Sequence, residues 1–482
     1  MDVSSKSPIA RLRFAALAAI AAVVALAALS AAGGTGIAPT ARATTAAATV
    51  RIRPMIRSRL AAISQPPTQA QCVEAFTVPC YDAPQIQTAY DEKPLFTNGI
   101  TGSGQTIVIV DSFGSPTIQA DLATFDAEFN LPAPPSFKII QPAGAVPPFD
   151  PTDSNGDVGW AGETTLDVEW AHTIAPGASI LLVETPVAET EGTAGFPQIV
   201  QAENYVIDHR LGGVISQSFG ATEPTFPFPP LGIYLLRGAY INAALNGVTV
   251  LAATGDAGAT DYSNTAGTLL YTHPAVDWPS SDPLVTAVGG TQLQLDASGA
   301  RTAPDQVWND SFNTDLNEVF FGDPGPNALG TGGGKSFIFG RPSYQNGVAG
   351  VVGGQRGVPD ISMSGACSGL VDTYQSFPGE PPGWYVDCGT SESTPLFAGI
   401  VALAAQVAGH PLGPINPTLY RLSAEHAPGL VDVTSGNNTV SFTQNGTLYT
   451  VNGYSAGPGY DLASGVGTVD AALFVPELAH GG

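Results

Sequence analysis

Thr106-Ile107-Val108-Ile109-Val110 is a run of five residues in which only the first side chain is polar. It reads as a buried strand. Working outward, Ser115-Pro116 opens a helix to about Asn130, with proline in the first turn. Residues 179–183 read as a second strand, 197–210 as a helix and 213–216 as a strand. Residues 234–246 are helical, and 248–253 and 284–288 are strands. This alternation predicts an α/β fold, a parallel central sheet with helices on both faces. Ligands of such sheets sit beyond the carboxyl ends of the strands, so the chemistry is expected just after these runs.

The chain has 482 residues and a formal charge of −24, unevenly spread. Residues 1–60 hold eight basic residues and one acid, a net +7; residues 61–482 hold nine and forty, a net −31. A body this acidic repels phosphate backbones, which argues against nucleic acid as a partner. Charged residues are only 12% of the chain against 44% hydrophobic, so this is no disordered acidic tail. The 56 glycines and 41 prolines are spread between apolar runs, as in a loop-rich globular domain.

Lys6, Arg11 and Arg13 precede an apolar run over 14–32, and Ala41-Arg42-Ala43 follows as a small-residue cleavage site. Residues 1–43 therefore read as a signal peptide, and the protein as secreted and extracellular. The competing reading is an uncleaved anchor, because the run is about as long as a spanning helix. After cleavage no stable membrane association is expected. Residues 44–84 form a short arm in which Arg51, Arg53, Arg57 and Arg59 interleave with Ile52, Met55, Ile56 and Leu60. It reads either as a vestigial pro-segment on the acidic body or as a solvated linker. Residues 85–482 read as one domain. Cys72, Cys80, Cys367 and Cys388 fit export as disulfides; three pairings are open, and local pairing is expected. No cysteine or histidine spacing suggests zinc. Oligomeric state is not readable.

The strongest chemical candidate is Gly389-Thr390-Ser391-Glu392-Ser393-Thr394-Pro395, ahead of a run over 396–405 that is apolar on every side. That run predicts a helix buried in a large core, with Pro395 in its first turn. Ser391 would sit at its entrance, beside free N–H groups and the positive dipole end, where negative charge on oxygen is favoured. Plain N-capping is the alternative. A serine nucleophile needs a base. The chain has six histidines, and His172, in Trp170-Ala171-His172 on a helix-like stretch, reads as a packed or surface residue. Glu163 and Asp167, four apart, would share one face of a helix whose apolar stripe is Leu166, Trp170 and Ile174. Two close carboxyl groups share a proton and can act as a base in acid, where histidine is protonated. In isolation they equally suit two solvated surface acids. Asp256, in Thr254-Gly255-Asp256-Ala257-Gly258, ends a strand; kept protonated, it could donate to an oxyanion, though an ordinary Asp-Gly turn has the same signature. Asp432-Val433 and Gly457-Pro458-Gly459-Tyr460-Asp461 offer two carboxylates and backbone carbonyls for a hard cation such as Ca²⁺.

Taken in order, Glu-x-x-x-Asp, Gly-Asp-x-Gly and Gly-Thr-Ser-x-x-x-Pro resemble the sedolisin, or serine-carboxyl, peptidases. Supporting stretches are Ser216-Gln217-Ser218-Phe219-Gly220, Trp278-Pro279-Ser280-Ser281-Asp282-Pro283, Gly332-Gly333-Gly334-Lys335-Ser336 and Arg356-Gly357-Val358-Pro359-Asp360. The resemblance implies a subtilisin-like fold and protein or peptide substrates, cleaved at acidic pH by endo- or tripeptidyl-peptidase action. Carried over by motif, it makes Ser391 the nucleophile, Glu163 the base, Asp167 its orienting partner and Asp256 the oxyanion acid. It places substrate at Ser216, Phe219 and Gly220. It implies one structural Ca²⁺ on Asp432 and Asp461, with carbonyls of Val433, Gly457 and Gly459.

This chain departs from the family pattern in several places. Family members are often made with a long folded pro-domain; here about forty residues lie between the signal and the catalytic region. Glu392 stands where the family usually has alanine, and Phe219 where many members have tryptophan. Cys388 directly precedes Gly389, so a pairing with Cys367 would pin the nucleophile loop. Asp111 is a candidate further acid of the network. Two other classes compete with the peptidase reading: a catalytically silent secreted binding protein on the same scaffold, and a serine esterase or amidase.

Overall fold

The computed structural model of the chain describes residues 56–58, 65–153, 156–189 and 191–481. The signal reading of residues 1–43 and the arginines at 51, 53 and 59 fall outside the described residues. The strands that position the site are β1 (Ile56–Ser58), β2 (Cys80–Tyr81), β3 (Thr106–Ser112), β4 (Phe137–Ile140), β5 (Ser179–Thr185) and β6 (Val214–Gln217). They continue with β7 (Thr249–Ala253), β8 (Thr286–Gln292), β9 (Gln306–Val307), β10 (Ile361–Ser364), β11 (Leu370–Gln375) and β12 (Gly383–Cys388). The helices are α1 (Ile118–Phe129), α2 (Asp157–Ile174), α3 (Phe196–Asp208), α4 (Leu231–Leu236), α5 (Gly238–Asn246), α6 (Thr390–Ala408) and α7 (Ala471–Gly481).

Eight strands form the central sheet, in the order β9-β8-β7-β6-β3-β5-β4 with β10 also on β8. Every pairing is parallel except β8 with β9. The chain enters at β3, winds outward to β4 and β5 on one side, then to β6, β7 and β8 on the other. Beside β3 the winding reverses, the position at which such sheets open a ligand crevice. The apolar run of β3 follows from burial on both faces. Ile107 and Ile109 pack with α2, α6 and α7, while Val108 and Val110 pack with α3 and α5. Each such side chain contributes about 1.5–3 kcal/mol by leaving water.

A second sheet, β1-β12-β11-β2, carries the chain into the Ser391 segment, since β12 ends at Cys388. β1, from the arm, pairs antiparallel with β12 and sets Ile56 opposite Cys388. Both disulfides are local, Cys72–Cys80 and Cys367–Cys388, and the second ties the last residue of β12 to the segment after β10.

Four boundaries differ from expectation. The helix after β3 begins at Ile118, with Thr117 as its N-cap, so Pro116 lies outside it. Residues 234–246 are two helices, because Arg237 leaves the helical path at ψ 2°. Its guanidinium is bound to buried Asp282. β8 starts at Thr286, because Val285 N–H closes a turn on Asp282 O. Pro395 lies inside α6, well past its first turn.

Candidate active site

α6 is buried on every side from Thr390 to Ala405, as its all-round apolar sequence requires. α2 is buried almost throughout, although it carries Glu163, Asp167 and Glu169. The two helices pack so closely that a Cβ on Gly399 would lie 2.5 Å from Ile174 Cβ and 3.4 Å from Ala171 O. Seven or eight residues toward both N-termini, Ser218 lies between them: its Oγ donates to Asp167 Oδ1 at 2.7 Å and sits 3.4 Å from Ser391 O. Two contacts with matching offsets mean that the helices run in the same direction. Ser391 and the Glu163–Asp167 turn therefore stand at the same end.

Pro395 has a local consequence here. The N–H it lacks is the one that would bond Ser391 O in a regular helix. That carbonyl is the one Ser218 approaches.

Glu163 and Asp167 are 1% and 0% exposed, so they are not solvated surface acids. Burial holds the Asp167 carboxyl well above the usual range, and the charges of Asp111 and Glu163 push the same way against the Ser218 hydrogen bond. Asp111, near the carboxyl end of β3, is itself pushed up to about 7 by burial. The acids thus form one group in which protons are shared.

Asp256 follows β7 and reaches Thr390, the residue before Ser391. Its Oδ1 accepts both Thr390 N–H and Thr390 Oγ1–H at 2.7 Å, leaving Oδ2 to carry an acid proton. Burial pushes this carboxyl up to about 7, against the two Thr390 bonds, and the Asp261 charge adds to the rise. Gly389 makes the approach possible. Its φ is +127°, and a Cβ there would lie 2.8 Å from Asp256 Oδ2. His172 is fully buried, with Nε2 2.8 Å from Pro132 O, and burial lowers it to about 4. It serves packing.

Ser216 and Phe219 are buried, Ser216 on β6 and Phe219 against Trp160 and Phe196. Gly220 packs against Asp277, where an added Cβ would lie 3.1 Å from Asp277 Cβ. Sequence reading missed Ser218 and Thr390 as site residues. Both stood inside quoted motifs, but no spacing says that their hydroxyls reach Asp167 and Asp256.

No family model matches the chain. Kumamolisin of Bacillus sp. strain MN-32 is 34% identical over 396 residues, covering 80% of this chain and 62% of that protein. Sedolisin of Pseudomonas sp. strain 101 is 28% identical over 421 residues, covering 86% and 64%. Tripeptidyl-peptidase 1 of Homo sapiens is 30% identical over 330 residues, covering 66% and 52%. Among solved structures, Pseudomonas sedolisin, a serine-carboxyl proteinase complexed with two molecules of pseudo-iodotyrostatin, superposes with a TM-score of 0.65 at 27% identity. That match covers 83% of this chain and 97% of that one.

The chain belongs to the sedolisin (serine-carboxyl) peptidase family. It spans roughly half to two thirds of the length of these curated relatives. The subtilisin-like α/β expectation agrees with the sedolisin superposition and the parallel central sheet.

A second cluster lies in the C-terminal loops of this sedolisin-family chain. Asp461 Oδ1 accepts Ala463 and Ser464 N–H at 2.9 and 2.8 Å, and its Oδ2 accepts Gly457 N–H at 3.1 Å. Asp432 Oδ2 accepts Gly459 N–H at 2.8 Å, and Ser464 Oγ links Asp461 to Val433 O. Two sets of hydrogen bonds thus hold the five expected ligand residues, Asp432 with Gly459 and Asp461 with Gly457 and, through Ser464, Val433. Among the described residues no group of three or more His, Cys, Asp or Glu could hold a metal ion. A site here would draw on carbonyls as much as on carboxylates.

Proposed function

We propose that this chain is a serine-carboxyl peptidase that hydrolyses peptide bonds in acid. The supporting observation is the meeting at the start of α6. Asp167 reaches Ser391 through Ser218 from one side, and Asp256 grips Thr390 from the other. Glu163 takes the Ser391 hydroxyl proton as Oγ attacks the peptide carbonyl carbon. The oxyanion so formed accepts hydrogen bonds from protonated Asp256 and from N–H groups at the start of α6. Glu163 then protonates the departing amine as the C–N bond breaks, leaving an acyl ester on Ser391. Water attacks that ester, gives its proton to Glu163, and the acid is released as Ser391 is restored.

Asp256 donates only while protonated. Its carboxyl is raised to about 7, so the donor is present below that pH and lost above it. Cleavage of a denatured protein substrate is expected at pH ~3–5, falling away as pH rises through about 7. Absence of cleavage in acid overturns the reading. Asp256→Ala should lower kcat by ~100-fold or more, the usual cost of one oxyanion donor. An unchanged kcat would remove Asp256 from that role.

We further propose that the chain is exported and acts outside the cell, which suits its basic apolar N-terminal stretch and paired cysteines. Among the described residues no helix is long and apolar enough to cross a membrane. The C-terminal loops would hold one structural Ca²⁺, since their donor set is all oxygen: Asp432, Asp461 and the carbonyls of Val433, Gly457 and Gly459. Bound calcium would stabilise the fold by RT ln(1 + [Ca²⁺]/Kd), about 2.7 kcal/mol at a hundredfold excess over Kd. A chelator should therefore lower the melting temperature, with recovery on adding calcium. A melting curve indifferent to chelator counts against the site.

A further inference from the structure

Behind Asp256 lies a second group of acids that the mechanism does not use: Glu191, Asp261 and Asp277, each more than nine-tenths buried. Asp277 sits in a short strand, Asp277–Trp278, paired antiparallel with Ala221–Thr222. Its partner Thr222 donates its N–H to Glu191 Oε2 at 3.0 Å. Asp261 Oδ1 is fixed by Tyr262 N–H at 2.7 Å.

Gly255, the residue before Asp256, has a φ of +92°. A Cβ there would lie 2.6 Å from Asp277 Oδ2 and 2.8 Å from Asp261 Oδ2. Both carboxyl oxygens therefore press on one point of the oxyanion loop. A Cβ on Gly220 would lie 3.1 Å from Asp277 Cβ, so Asp277 touches the Ser218–Gly220 loop as well. On its other side the oxyanion loop is held by Gly332 N–H on Gly255 O at 2.7 Å and Gly330 N–H on Asp256 O at 2.8 Å.

We propose that Asp261 and Asp277 are positioning residues: hydrogen-bonded through one shared proton, they clasp Gly255 and hold Asp256 against the start of α6. The proposal rests on the reading of Asp256 as the oxyanion acid. Two carboxyl groups this close and dry cannot both ionise cheaply, so one proton stays between them. Asp277 is the donor: burial, the Asp261 charge and Glu191 all favour its neutral form. These outweigh the Thr222 hydroxyl, whose hydrogen bond to Asp277 favours the charged form. The other titratable groups facing the pair are Glu191 and Asp256, with Tyr271 beyond Glu191. Among the described residues, no lysine or arginine forms an ion pair with Asp261 or Asp277. The pair thus carries one negative charge toward Asp256 and helps keep that acid protonated.

Two neutral substitutions separate this role from plain packing. Asp261→Asn removes the charge that faces Asp256, so the alkaline limb of kcat/KM should move down by roughly one pH unit. Asp277→Asn keeps an N–H donor to Asp261 and the single charge, so the limb should stay in place. Infrared difference spectra of wild type minus Asp277→Asn at pH 6 should show a protonated carboxyl carbonyl band. Equal losses of kcat without a shift in either variant, or no such band, overturn the proposal. Asp261→Ser serves as a second neutral variant if Asp261→Asn does not fold. A wild type that cleaves nothing removes the oxyanion reading itself, and the infrared difference then decides the clasp alone.

Discussion

Ser391→Ala is expected to abolish hydrolysis in acid, lowering kcat by on the order of 10⁴-fold or more, as loss of a serine nucleophile does elsewhere. The fold should not notice. The Asp256–Thr390 bonds use Thr390 and the Ser218 contact uses the Ser391 carbonyl, so neither involves the deleted hydroxyl. A melting curve matching wild type beside lost turnover is the expected pair of results. Equal cleavage by wild type and variant would remove Ser391 as nucleophile and, with it, the peptidase reading of this site. Glu163→Gln should lose as much, since it leaves the hydroxyl proton without an acceptor. Combining the two should cost little more than either alone, because both act in one step.

The second large effect is on stability. Glu92, Glu169, Glu203, Asp372 and Glu392 are fully buried, and burial raises each carboxyl well above its ordinary range. Burial also brings Asp111, Asp126 and Asp256 up to about 7. Above the unfolded carboxyl range near pH 4, the folded chain binds more protons than the unfolded one. The stability from these groups is therefore complete below about pH 4 and is lost as pH rises toward 7 and beyond. The melting temperature should fall by on the order of 10 °C from pH 4 to pH 7. A flat or rising curve over that window would show that these acids are charged and compensated in the native state.

Much of the fold and site was legible because period and order carry it. The apolar run of β3 could only be buried on both faces, and Glu163 and Asp167 four apart could only share a helix face. Their burial was not legible. A carboxylate's sequence neighbours do not say whether another helix covers it, and α6 covers these. Ser218 and Thr390 escaped for a related reason. Each acts through a hydroxyl set by a loop after a strand or by the first turn of a helix, and periodicity is silent there. Pro395 was misplaced by rule. Proline favours a helix's first turn, but α6 starts five residues earlier, where Gly389 turns the chain beside Asp256.

The close crossing at Gly399 bears on all of this. It lies eight residues, about 12 Å of helix rise, from Ser391. It is the fulcrum on which α6 and α2 rest, with Ser391 at the end of one arm and Glu163 and Asp167 at the end of the other. A side chain there would act as a wedge, and a small tilt at the fulcrum becomes a larger displacement at the tips. Misplacement of reacting groups by about 1 Å can cost a hundredfold in rate. The alignment of Ser391 with Glu163 and Asp167 is thus set partly by a residue that touches none of them.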